Sequence, residues 1–479
     1  MTAQARGIGE DWLSLWIGLG VFALALGLLV GVDALGWVVR TAVWTDPARA
    51  LAPASKAYAG LGGPGALLAT YLALLAVMTA GAVALRANAA RFALGFTAVF
   101  AISYLCWIAG SCAYVAATTP DELKRFGIGW SLKLTNEAGY VVALLAGLAI
   151  GNFAPRLAGR IRVAVRPELY IKVAIVILGG FLGATAAEKL GLASSLMLRG
   201  LAAIVEAYLI YWAVVYFVAR KWFGLSREWA APLASGISIC GVSAAIATAG
   251  AIRARPVVPA VVSSLVVIFA VAELLVLPFI AQALLAHEPM VAAAWMGLAV
   301  KTDGAALASG AMTESLVLSS AAAQGISYKA GWMLATTATV KVFIDIFIGI
   351  WAFVLAWIWT TRINAGTGDR ARPAEIWERF PKFILGFIAT FLAVLALSLG
   401  APGLSPKIAA AMGEANALRG IFFVMTFFAI GVMSDFGRLR EEGIGRLAAI
   451  YALALFGFIL WVGLAISFLF FAGLKPPAA

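Results

Sequence analysis

Apolar runs of 18 or more residues recur from one end of this 479-residue chain to the other, and they limit its fold more than any other feature. A run of that length, wound as a helix rising about 1.5 Å per residue, crosses a hydrocarbon layer of about 30 Å. No water satisfies the backbone inside that layer, so a spanning chain must be helical or form a closed barrel. A barrel would show alternating strands of about ten residues, which the sequence lacks. Charged residues make up 12% of the chain and hydrophobic ones 63%, against about 25% charge in a typical soluble domain. The sequence therefore predicts an all-α polytopic membrane protein.

Thirteen segments have the length and composition of spans, near residues 12–30, 64–85, 92–117, 138–152, 168–187, 199–219, 230–252, 257–283, 291–320, 328–359, 383–400, 417–435 and 447–472. Trp12, Trp222, Trp229, Trp357 and Trp359 stand at segment ends, as interfacial anchors do. Arg156, Arg160, Arg162 and Arg166 follow the fourth segment, Arg438, Arg440 and Arg446 follow the twelfth, and most other basic loops fall on the same side. The positive-inside rule makes that side the cytoplasm, which predicts an inner-membrane protein with a cytoplasmic N-terminus. Arg253 and Arg255 run against the pattern. No signal-peptide cleavage site follows the first segment, which is expected to be a retained helix.

The net charge of +12 comes without a basic cluster interleaved with aromatics, so nucleic acid is not an expected partner. Cys106, Cys112 and Cys240 sit in apolar segments without metal-ligand spacing and read as small core residues. The single histidine, His287, lies in a short loop, so a histidine metal site or proton relay is not expected. No metal or cofactor is expected, and no base accompanies a Ser or Cys nucleophile, which argues against an enzyme.

Two spans are interrupted by small and polar residues, at 235–243 and 428–435. A break near the bilayer midplane frees backbone N–H groups and positive helix ends that can hold an anion. Close helix packing through small residues is the competing explanation for each. The first break lies in the fourth segment of a block at residues 138–283, and the second in the fourth segment of a block at 284–479. Five segments per block imply opposite insertion, hence a 5+5 inverted repeat with two interrupted crossing helices, preceded by a three-helix extension at 1–137.

Ionisable residues within apolar segments are Lys172, Glu206, Glu273, Lys301, Asp303, Lys341, Asp345 and Asp435. Each is costly to bury and so a candidate for function. Lys172 and Asp435 stand near segment ends and are expected to reach the interface. Glu206 and Glu273 suit either a structural hydrogen bond or proton carriage. The stretch Gly297 to Gly304 gathers a cation, an acid and helix-loosening glycine, while Lys341 and Asp345 share one helix face at i,i+4. A buried ion network that only holds the bundle together is the alternative.

Several motifs resemble a known family. They are Leu144 to Asn152, Ile175 to Gly179, Ile239 to Ile246 with its Cys-Gly-x-Ser-Ala core, Val340-Lys341, Pro381 to Phe387, and Ala429 to Gly431 followed by Leu439-Arg440. Over about residues 138 to 472 the chain resembles the YeiH-like membrane proteins, a family that carries a sulfate-exporter label. The resemblance implies a multi-helix inner-membrane protein. The chain departs from the pattern at Lys301-Thr302-Asp303, where a His followed by an acid is expected, and at Ile344-Asp345, where an Arg is expected.

The function expected is secondary transport of a small anion (sulfate, a sulfonate or a small carboxylate) by alternating access, coupled to Na+ or H+. Substrate-binding candidates are Ser238, Gly241, Ser243, Lys301, Thr302, Asp303, Lys341, Gly431 and Ser434. Ion-coupling candidates are Asp303, Asp345 and Glu273. Cation/proton antiport is the alternative within transport, and a membrane-embedded enzyme or a non-transporting scaffold the alternative outside it. The lipid bilayer is the expected partner, and a homo-oligomer is compatible with every one of these readings.

Overall fold

The computed structural model describes residues 9–117, 120–132, 138–188, 190–255, 257–363, 377, 381–434 and 445–479. In chain order its main elements are α1 (Glu10–Leu26), the short antiparallel pair β1 (Val39–Thr41) and β2 (Leu51–Pro53), α2 (Gly62–Ala84), α3 (Ala89–Gly110), α4 (Ala138–Phe153) and α5 (Pro167–Glu188). Then come α6 (Leu190–Trp222), α7 (Arg227–Ser238), α8 (Val242–Ala251), α9 (Val257–Leu285), α10 (Pro289–Ala299) and α11 (Asp303–Ala323). The last are α12 (Trp332–Ile363), α13 (Lys382–Gly400), α14 (Ser405–Met433) and α15 (Gly445–Phe471).

Among the described residues ten helices are long and apolar enough to cross a membrane, or eleven if the bent pair Ala138–Phe153 and Pro155–Ile161 counts as one span. The all-α polytopic expectation holds. The segments expected at 230–252 and 291–320 are not continuous helices: the first divides into α7 and α8, the second into α10 and α11.

Contacts group the chain into two compact units, one of Met1–Leu190 with Lys382–Met433 and the other of Gly191–Pro381 with Ser434–Ala479. In the first unit α5 packs against α1, α13 and α14. The Thr390 hydroxyl of α13 donates to the Val176 carbonyl of α5 at 2.8 Å. Lys172 of α5 is buried, with Asp11 of α1 2.9 Å from its ammonium and Glu168 3.3 Å away.

Helix α14 also corrects the second expected interruption. It runs unbroken from Ser405 through Phe428 to Met433, with buried Ser434 just beyond its end; Asp435 lies outside the described residues. Its small residues serve packing instead: a Cβ on Gly431 would stand 2.3 Å from the Leu144 carbonyl oxygen, and one on Gly147 would stand 2.2 Å from that of Phe428. The backbones of α4 and α14 touch there, the close approach that small residues permit between membrane helices.

In the second unit the chain breaks where its sequence offers alternative partners. Thr302, extended at φ −80° and ψ 143°, caps α11 by accepting from the Ala305 N–H at 3.2 Å, the role that a hydroxyl before a helix commonly takes. Buried Glu314 accepts from the N–H groups of Gly331, Met333 and Leu334 at 2.9, 2.8 and 3.1 Å, satisfying the start of α12. The Ser235 hydroxyl ties three helices by accepting from Trp212 Nε1 at 2.9 Å and from the Thr248 hydroxyl at 2.7 Å.

Gly431→Val is expected to force α4 and α14 apart and to abolish the monodisperse peak in size-exclusion chromatography. Gly413→Ala in the same helix, where an added Cβ meets nothing within 4 Å, should elute like the parent protein.

Candidate functional site

The two breaks of the second unit meet. Gly241, between α7 and α8, has φ +74°, and a Cβ there would lie 2.9 Å from Thr302 Cγ2 and 2.8 Å from Val266 Cγ1. Glycine is thus required twice, for the left-handed backbone and for the approach of the neighbouring break. Helices α7 and α10 end at this junction, and α8 and α11 begin there.

Helix ends that stop inside a bundle leave carbonyls and N–H groups without helical partners. Lys341 of α12, 2% exposed, satisfies the carbonyl side of both breaks, since its ammonium donates to the Ile239 carbonyl at 3.3 Å and to the Lys301 carbonyl at 3.1 Å. A positive charge near the C-terminal ends of α7 and α10 also opposes the negative ends of their dipoles, an effect of roughly 0.3–1 kcal/mol per helix and more when partly buried.

Around this centre lie more buried charges. The Lys301 backbone N–H donates to Glu273 Oε2 at 3.2 Å, its ammonium donates to the Leu298 carbonyl, and that ammonium sits 4.4 Å from the Tyr211 ring centre. Glu206 is fully buried beside Tyr211 and within the field of Lys301. Both Glu206 and Tyr211 belong to a π-helical turn of α6, Glu206–Tyr211, and the Tyr211 hydroxyl donates at 2.8 Å to the carbonyl of Ile459, in a second π-helical turn, Leu455–Ile459, of α15. Such widened turns offer carbonyls that a regular helix would keep for itself.

The Cys240 sulfur and a carboxylate oxygen from each of Asp303 and Asp345 lie within 4.8 Å of one another, and all three residues are buried. Close by in sequence, the Ile344 carbonyl accepts from the Tyr208 hydroxyl at 2.6 Å. The two carboxylates are hard oxygen donors suited to a proton or an alkali cation, and the thiol adds one soft donor.

Of the expected site residues, Gly241, Lys301, Thr302, Asp303, Lys341, Asp345 and Glu273 belong to or adjoin this junction. Ser238 is buried at the end of α7, and Ser243 is half-buried in the first turn of α8. Gly431 belongs to the first unit, where it packs on α4. Cys240 is a buried core residue, as its apolar segment implies, and its place beside Gly241 in the break also brings its sulfur near Asp303 and Asp345. The break at Val300 to Thr302 was also missed, although Thr302 just before Asp303 carries the pattern of a helix start.

The sequence profile of the family described as Conserved hypothetical protein 698 matches residues 126–450. A UPF0324 membrane protein of Nitrosomonas europaea is 40% identical over 476 residues, covering 98% of this chain and 96% of the relative. An uncharacterized protein of Archaeoglobus fulgidus is 47% identical over 161 residues, 29% of this chain and 86% of that one. A UPF0324 membrane protein of Rhodopirellula baltica is 31% identical over 366 residues, 74% of this chain and 58% of that one. No solved structure matches the chain. The relatives' names and the many apolar helices together establish a multi-pass membrane protein.

Gly241→Ala is expected to cost more than the roughly 1–2 kcal/mol of a left-handed non-glycine residue, because its methyl also meets Thr302 and Val266. The apparent melting temperature in detergent should fall by several degrees, while Gly250→Ala, in open space on α8, leaves it unchanged.

Proposed function

Because the chain belongs to the Conserved hypothetical protein 698 family of UPF0324 membrane proteins, the YeiH-like family its motifs resemble, we propose that it is a secondary transporter. Its solute in this reading is a small anion, coupled to a proton or sodium ion. The observation that carries the proposal is the junction of two broken helices around the Lys341 ammonium. Helices that stop and restart in mid-bundle present N–H groups and positive dipole ends, here at the starts of α8 and α11, that can hold an anion without a dedicated cationic side chain.

Charge balance supports coupling. Among the described residues at the junction, Glu206, Glu273, Asp303 and Asp345 stand with two buried ammonium groups, Lys301 and Lys341. With every group ionised, four negative charges against two positive leave an excess of two negative charges. Uncompensated charge in a low-dielectric interior is costly, and a cation carried by Asp303 or Asp345 lowers that cost while admitting an anion. Sulfate, a sulfonate or a small carboxylate suits the N–H groups equally.

Cation/proton antiport is the second reading, favoured by the fact that both ammonium groups already bind backbone carbonyls. In that case Asp303 and Asp345 exchange the cations and no anion moves.

Flux in proteoliposomes separates the two. Sulfate, sulfonate or carboxylate uptake driven by an imposed proton or sodium gradient is the expected result, with Asp303→Asn and Lys301→Ala each reducing it at least tenfold in protein that still elutes as a single species. Sodium or proton exchange that proceeds without any anion favours the antiport reading. Wild-type flux in both variants moves the site elsewhere, and loss of folded protein in place of flux favours a structural ion network.

A further inference from the structure

The first unit contains a polar cavity of about 180 Å³ that shares no residue with the helix junction. Its polar and aromatic lining comes from Arg40 and Thr41 of β1, Trp107 of α3, Tyr140 of α4, and Asn416 and Arg419 of α14. Among the described residues no acidic side chain lines it. None of the six stands out in the sequence, because Arg40 and Arg419 lie far apart in the chain and neither falls in an interrupted helix.

The cavity is built rather than incidental. Arg419 Nε donates to Asn416 Oδ1 at 2.5 Å, and its guanidinium lies 4.8 Å from the Phe423 ring centre, so the plane of the fork is fixed from two sides. Trp107 is held by its neighbours: a Cβ on Gly420 would stand 2.5 Å from its ring, and the rings of Tyr104 and Tyr140 lie 5.7 and 6.0 Å away. Its indole Nε1 is buried with no hydrogen-bond acceptor among the described residues, although Trp107 is only 8% exposed.

An indole N–H can only donate, and a guanidinium carries donors alone. Leaving a buried donor without an acceptor is unfavourable. The Trp107 indole N–H thus lacks an acceptor among the described residues, and the guanidinium groups of Arg40 and Arg419 in the same lining favour one that bears negative charge on more than one oxygen. Glu414 interacts with Asp33 and with Arg40 from outside the lining, and it offsets part of the Arg40 charge without supplying an oxygen to the cavity. The volume lies below the roughly 300–1,000 Å³ of pockets for drug-sized ligands, which limits the occupant to an ion of a few heavy atoms.

We propose that this cavity binds a small oxyanion, a sulfate, sulfonate or carboxylate group, between Arg40 and Arg419 with the Trp107 indole N–H as a third donor. The proposal stands independently of the transport reading, since every residue it uses lies in the first unit. A transporter would use such a site to collect or sense its anion; a protein of any other activity would still bind the ion here.

The test is calorimetric titration of the purified full-length protein in detergent with sodium sulfate, sodium methanesulfonate and sodium acetate at constant ionic strength. At least one anion is expected to bind. Arg40→Gln, at an exposed position whose replacement spares the fold, and Arg419→Gln should each weaken that binding about tenfold or more. Trp107→Phe, which keeps a ring and removes the N–H, should weaken it severalfold. An isotherm unchanged in Arg40→Gln and Trp107→Phe overturns the proposal, as does the absence of binding heat for all three anions in the parent protein.

Discussion

A helix that stops inside a membrane protein leaves carbonyl groups that neither lipid nor a next turn can satisfy. Two helices stop at the junction described here, and a single ammonium, that of Lys341, bonds to a freed carbonyl of each. Much of the second unit's local geometry follows from that bond. Gly241 must be a glycine so that Thr302 can come near, Thr302 must begin a new helix, and the residues between the helix ends are placed where polar groups from several helices converge.

That convergence explains why so many ionisable side chains are buried together. Lys301 is held by a carbonyl, an aromatic ring and the acid that accepts from its own backbone N–H, while Cys240, Asp303 and Asp345 gather their polar atoms within a few ångströms. A network of this kind gives bundle rigidity as one benefit, but replacing buried ion pairs with hydrophobic residues is often neutral or stabilising. Stability alone is thus a weak reason to keep four acids and two lysines here. Glu314 makes a useful contrast: it is buried too, yet three backbone N–H groups satisfy it fully and assign it to capping α12.

The helical class was legible because run length alone decides it. The break at Gly241 was legible as well, since Ser235 to Ser243 offers glycine and hydroxyl groups in place of helix-forming residues. The same style of evidence misled at Phe428 to Met433, where Gly431 and its small neighbours accommodate α4 and the helix continues. A glycine that breaks a helix and a glycine that admits a neighbour look alike until the neighbour is located. For Lys172, near a segment end, only the position of Asp11 on α1 shows that its ammonium is paired as well as buried. The Arg40, Trp107 and Arg419 cavity was out of reach for a related reason: its chemistry arises from residues distant in sequence, and spacing along the chain carries no trace of it.

The central claim, that one ammonium joins two broken helices, is tested most directly by a cryo-electron microscopy map of the protein in lipid nanodiscs at a resolution that shows backbone carbonyls. The account predicts interruptions at 239–241 and 300–302, with the Lys341 Nζ density within hydrogen-bonding distance of the Ile239 and Lys301 carbonyl oxygens. Continuous helices through either stretch, or a Lys341 side chain directed away from both carbonyls, would contradict it.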